Sequence, residues 1–181
     1  MPNTLPPRPT GDPPERPEAF VVVPYVEGML RDQTHDAISA WGGTYVTYPI
    51  DAGDREAYAA GFKAWWQVPM DLIVIEQDMT PTGEQINALI DTPHEWAGAA
   101  YHIGFGRTTT GLGFCKIALS LRERYPSAGE NIIRNQSRGG GLADWVSLNE
   151  NVARHLERLG ERMHVLDFEV GHLHYPRAPH G

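Results

Sequence analysis

Glu76-Gln77-Asp78 follows directly on the apolar run Leu72-Ile73-Val74-Ile75. In an extended segment residues i and i+2 point the same way, so Glu76 and Asp78 can converge on one site. Two carboxylates held close repel each other unless protons or a cation neutralise them. A hard divalent cation such as Mg²⁺ or Mn²⁺ takes oxygen ligands and often bridges them to substrate phosphates. The same acids also suit a turn or a helix cap, since Asp78 stands just before Thr80-Pro81, and spacing alone leaves both readings open. At the far end of the chain stand His172, His174 and His180. Neutral imidazole is a common metal ligand, although a His-x-His pair near a chain end equally suits a solvated surface. A carboxylate pair together with a late histidine group is harder to dismiss than either alone.

These residues need elements to position them. Phe20-Val21-Val22-Val23 reads as a buried strand ended by Pro24, and Thr44 to Tyr48 as a second ended by Pro49. Between them residues 29–40 read as a helix stopped by Gly42-Gly43. Asp51 and Asp54 precede a helix on which Tyr58, Phe62, Trp65 and Trp66 share one face, a core stripe. Leu72 to Ile75 is apolar on both faces, which suits the middle of a parallel sheet covered by helices. Residues 82–90 read as a short helix, 113–124 as another, and 127–143, with Gly139-Gly140-Gly141, as a loop. The stripe Trp145, Leu148, Val152, Leu156 and Leu159 marks a helix stopped by Gly160. Leu166, Phe168 and Val170 alternate with acids as a last strand. The order βαβαβα with a mixed second half predicts an α/β sandwich on a mostly parallel sheet. Such sheets bind ligands beyond the carboxyl ends of their strands. Pro24 and Tyr25 leave the first strand there, Asp51 the second, and Glu76 to Asp78 the third. Tyr25 would serve equally as a core aromatic, and Asp51 as a helix cap.

Composition bounds the answer. The chain has 181 residues, which suits one domain. Apolar residues make up 41% and charged residues 21%, which excludes disorder throughout. The first 17 residues hold seven prolines, so residues 1–18 read as an extended or disordered tail. A net charge of -8 without a strong basic cluster argues against nucleic acid as a partner. No apolar run is long enough for a membrane span, and no basic-then-apolar leader is present, so a cytoplasmic location is expected. Cys115 is the only cysteine, which excludes an internal disulfide and a Cys-based zinc site.

Taken in order, the pieces Val21-Val22-Val23-Pro24-Tyr25, Asp51, Ile73-Val74-Ile75-Glu76-Gln77-Asp78 and Gly171-His172-Leu173-His174-Tyr175-Pro176 with His180 resemble the GT-A type of glycosyltransferase. More narrowly, Pro93 to Trp96, Gly111 to Gly113, a Trp145-led helix and the histidine-rich end are similar to small glycosyltransferase-like proteins of actinobacterial phages. The resemblance covers residues 19–180 and rests on short motifs whose order gives them weight. It implies a GT-A-like, Rossmann-like α/β sandwich over residues 19–181 and transfer of a sugar from a nucleoside-diphosphate donor to a glycan or protein acceptor. It implies Mn²⁺ or Mg²⁺ as cofactor, and an oligomer is compatible with it. Pro24 and Tyr25 would lie against the base or ribose, and Asp51 would hydrogen-bond one of them. Glu76 would contact the ribose or metal-bound water. Asp78 would bind the metal, with one of His172, His174 and His180 closing its shell. The motif departs from the family in having Glu rather than Asp first, and Asn149 stands where an acid is expected. An inverting enzyme would also need a carboxylate base; Asp144 beside the glycine-rich stretch is the candidate, with helix capping as its other role. A metal-dependent hydrolase using the same cluster and a non-catalytic nucleotide-sugar-binding module remain the alternatives.

Overall fold

The computed structural model describes residues 19–27, 29–51, 54, 56–103, 106–138 and 145–173, with the side chains of 135–138 and 145–147 left aside. The proline-rich segment 1–18, Asp144, His174 and His180 lie outside the described residues.

In chain order the elements are β1 (Ala19–Val26), α1 (Asp32–Trp41), β2 (Val46–Ile50), α2 (Ala57–Trp66), β3 (Asp71–Ile75), β4 (Met79–Thr80), α3 (Gly83–Asp91), β5 (Trp96–His102), β6 (Thr108–Thr109), β7 (Phe114–Ile117), α4 (Leu119–Arg124), α5 (Ala128–Arg138), α6 (Trp145–Arg158) and β8 (His164–His172). The sheet order is β2-β1-β3-β7-β5-β8-β4, with β6 hydrogen-bonded to β5.

The sheet is mixed, not the mostly parallel sheet of the expected Rossmann-like sandwich. β1 is parallel to β2 and β3, and β5 to β8. β7 runs antiparallel between β3 and β5, and β4–β8 and β5–β6 are antiparallel as well. Residues 113–124 are therefore not one helix. Phe114–Ile117 forms a strand and only Leu119–Arg124 a helix. Lys116 misleads, because a lysine in an apolar run suggests a solvent-facing helical position. Here it is buried, and its ammonium donates to Ile90 O and Thr92 O while pairing with Asp71 Oδ2 at 3.0 Å. The stretch expected as a loop holds α5, whose Ile132 is fully buried.

Strand β3 is central, as its composition predicts. Its alternate residues feed two cores, one on each face. Leu72 and Val74 join Tyr58, Phe62, Trp65 and Trp66 of α2 with Ile132, Leu148, Val152 and Leu156 of α5 and α6. Ile73 and Ile75 join Ile38 of α1 and Ile86, Leu89 and Ile90 of α3. The aromatic stripe of α2 is core: Trp65 meets Tyr48 edge-on at 5.1 Å. Burying aromatics of this size supplies much of the apolar stabilisation.

Pro24 and Pro49 do not end their strands. Register pairs run on to Val26 and Ile50. Proline lacks an amide hydrogen, so it needs a strand side with no acceptor. Alternate amides of a strand point to the same side, and the Val26 N–H on Pro24's side is met by the Gln77 side chain, since β3 last pairs with β1 at Val22–Val74. α1 ends as expected at Gly42, which adopts a φ of 75°. Asp54 caps no helix directly; its carboxylate accepts from the Glu56 N–H in the turn before α2.

Candidate functional site

β1, β2, β3, β5 and β8 all run in one direction, so their carboxyl ends share one edge of the sheet. Glu76 to Met79 form a turn closed by the Met79 N–H donating to Glu76 O at 3.0 Å, not the extended segment expected to aim Glu76 and Asp78 the same way, and the turn is held there from three sides. The Glu76 N–H donates to Gly113 O at 2.9 Å, just before β7. Gln77 is buried, with its Oε1 accepting from Val26 N–H at 2.6 Å and its carbonyl accepting from the Thr34 hydroxyl of α1 at 2.7 Å. Leu173 N–H donates to Asp78 O at 2.7 Å, and Met79 pairs with His172 across β4 and β8. Helix α3 braces that pairing. Thr82 and Gln85 form a reciprocal capping box, and the Gln85 amide donates to Glu169 O of β8.

The result brings together residues nearly 100 positions apart in sequence. Asp78 Oδ2 stands 3.2 Å from His172 Nε2, both side chains mostly buried. Glu76 is close enough to feel both charges, and its Oε1 accepts from the Tyr58 hydroxyl at 2.8 Å. The ring of Tyr101, from β5, packs on His172 with centroids 5.3 Å apart.

Electrostatics follow from this crowding. Burial raises the Glu76 carboxyl from 4.5 to about 7; the Tyr58 hydrogen bond opposes the rise, and the Asp78 charge adds to it. His172 is raised above the ordinary imidazole range, chiefly by its hydrogen bond to Asp78. Tyr58 and Tyr101 are pushed up by burial and by the Glu76 charge, so both stay neutral hydroxyls. Burial also raises the Cys115 thiol, which leaves it unreactive as a nucleophile.

Of the residues singled out in the sequence, Glu76, Asp78 and His172 converge. Pro24, buried, and Tyr25, half-buried, belong to the last turns of β1 at the same edge, in register with Tyr48 and Pro49. Asp51 is exposed and directly follows the last residue of β2. Sequence reasoning missed the supporting residues. Tyr58 reads as core and is core, yet its hydroxyl also holds Glu76. Tyr101 carries no local signal at all. Asn149, noted only as a departure, accepts from the Leu112 N–H at 3.0 Å.

Cis ligands of a small divalent ion, each about 2.1 Å from it at a right angle, stand about 3 Å apart. The Asp78–His172 separation has that spacing, which is also the spacing of the hydrogen bond between the two. Among the described residues no group of three or more His, Cys, Asp or Glu side chains is arranged to hold a metal ion. No helix among the described residues is long and apolar enough to cross a membrane.

No family model matches the chain, and no curated protein matches it. Among solved structures it is similar to a glycosyltransferase involved in the glycosylation of the major capsid of PBCV-1, at 11% sequence identity and a TM-score of 0.52, with 82% of each chain covered. The fold of this chain is therefore a glycosyltransferase-like α/β fold built on a mixed sheet.

Proposed function

We propose that the chain is a metal-dependent glycosyltransferase of the GT-A type, moving a sugar from a nucleoside-diphosphate donor to an acceptor hydroxyl. The observation that carries this reading is the meeting of Asp78 and His172 at the carboxyl edge of the sheet, 3.2 Å apart. The glycosyltransferase-like fold supports it. The narrower likeness to small phage-encoded proteins of this kind belongs to the same reading.

In this proposal Asp78 and His172 hold Mg²⁺ or Mn²⁺, with His174 and His180 as further candidates from the end of the chain. The bound ion would offset the charge that develops on the departing diphosphate. Glu76, oriented by Tyr58, faces the donor ribose. Pro24 and Tyr25 flank the base or ribose, and Asp51 accepts a hydrogen bond from one of them. Gln77 clamps the acidic turn to β1 and α1, so the carboxylates are set before ligand arrives, which lowers the ordering cost of binding. Asp144 is the candidate base toward the acceptor.

The test is a thermal-shift and calorimetric panel of UDP and GDP with and without Mn²⁺, on wild type and Asp78→Ala. Wild type should bind a nucleotide only with Mn²⁺, and the variant should lose that binding while keeping its melting transition, because only the side chain is removed and the Leu173–Asp78 backbone bond remains. Unchanged nucleotide affinity in Asp78→Ala would move the site elsewhere. Stabilisation by Mn²⁺ alone, with no nucleotide effect, would favour the hydrolase. Tight donor binding with neither transfer nor slow donor hydrolysis would favour a non-catalytic module.

A further inference from the structure

We infer that Asn149 is a positioning residue: it locks the turn Gly111-Leu112-Gly113 and through that turn sets where Glu76 and Tyr101 stand. The inference takes its relevance to ligand binding from the function proposed above, but its geometry stands apart from it. Helix α6 packs into the core through Leu148, Val152 and Leu156, which leaves Asn149 on the flank of that stripe. Its Oδ1 accepts the Leu112 N–H at 3.0 Å, while the Leu112 side chain is buried in the same core.

The packing around this bond is close. A Cβ on Gly111 would stand 2.0 Å from Asn149 Oδ1 and 2.4 Å from Nδ2, so the side-chain amide lies directly against that glycine. Gly113, two residues on, touches both halves of the site. Its carbonyl accepts the Glu76 N–H at 2.9 Å, and a Cβ there would stand 2.8 Å from the Tyr101 ring. Tyr101 in turn packs on His172. One short turn thus links α6 to the acid from β3 and, through Tyr101, to the imidazole from β8.

This arrangement also gives a physical reason for an amide at position 149. The turn needs an acceptor for a partly buried N–H, and an unmet buried donor costs more than a made bond gains. A carboxylate would supply the acceptor but bring a third negative charge toward an edge that already carries Glu76 and Asp78.

The experiment uses the full chain, with Asn149→Leu removing the acceptor at similar volume and Asn149→Asp keeping one. Amide hydrogen exchange is read residue by residue by NMR, and UDP and GDP binding with Mn²⁺ by calorimetry. In Asn149→Leu, exchange at both Leu112 and Glu76 should quicken about tenfold while Val152 and Leu156 stay protected, and Mn²⁺-dependent nucleotide affinity should fall about tenfold. Asn149→Asp should restore protection at both amides, since a carboxylate accepts an amide N–H at least as strongly. Quickening at Leu112 with no change at Glu76 would overturn the inference, and so would an equal loss of protection throughout α6 and the core. If wild type binds neither nucleotide, the proposed function fails while the exchange data still decide this inference. Should Asn149→Leu fail to fold, Gly111→Ala, which drives a Cβ into the Asn149 amide, is read by the same exchange, and unaltered protection at Glu76 overturns the inference there too.

Discussion

Replacing Glu76 by Gln separates what this residue does for stability from what it does for ligand binding. Burial is the largest cause of its raised pKa, from 4.5 to about 7. The folded carboxyl therefore holds its proton more tightly than the unfolded one. Protonation favours folding, and that stability is full below about pH 4.5 and lost as pH rises through about 7. At about 1.4 kcal/mol per unit the full swing is about 3 kcal/mol, a ceiling because the carboxyl retains some access to water. Gln mimics the neutral acid and keeps an Oε1 to accept from Tyr58. Urea denaturation in EDTA should therefore find wild type and Glu76→Gln close to each other at pH 5, with the variant ahead by about 2 kcal/mol at pH 8.5. Comparing the two proteins at each pH cancels the titrating groups that do not feel Glu76, leaving Glu76 and the neighbours coupled to its charge, chiefly Asp78 and His172. A stability gap of the same size at both pH values would refute the reasoning, since the effect would then owe nothing to the charge. The same variant should lose Mn²⁺-dependent nucleotide affinity, the trade expected when a costly buried charge is kept for function.

Two further substitutions test the frame that carries the site. Arg122 is buried, and its guanidinium donates to the carbonyls of Trp65, Trp66, Val68 and Met70, which close α2 and lead into β3. Arg122→Met should cost about 3 kcal/mol in urea denaturation, because these carbonyls lose their donors in a partly dry setting; a loss under about 1 kcal/mol would show that water replaces the arginine. Lys116→Met removes the cation from Asp71 and the donor from Ile90 and Thr92, and should cost about 2–4 kcal/mol. An unchanged transition midpoint would mean that the lysine is a solvated edge residue after all.

Local pattern carried much of the fold. The β-branched run of β1, the apolar run of β3, the stripes of α2 and α6 and the stops at Gly42 and Gly160 are all properties of neighbours a few residues apart, where side-chain periodicity and backbone freedom act directly. The antiparallel β7 was hidden for the same reason. Its neighbours in space, β3 and β5, lie elsewhere in the chain, and Lys116 reads as polar until Asp71 and two carbonyls are seen around it. Pro24 and Pro49 look like strand ends in sequence, whereas only the register shows that the Pro24 nitrogen faces a side strand β3 has already left.

The site divides along the same line. The sequence by itself determined that Glu76 and Asp78 leave a buried strand together, which is local and legible in the apolar run before them. That they leave it in a turn closed by the Met79 N–H donating to Glu76 O, not as extended chain, depends on the packing around them. That His172 rather than bulk water faces Asp78, that the Tyr58 hydroxyl holds Glu76, and that Asn149 reaches across to Leu112 was decided only by tertiary structure. These contacts join segments separated by between 18 and 94 residues along the chain, and only packing and hydrogen-bond satisfaction across the whole sheet bring such segments to one edge.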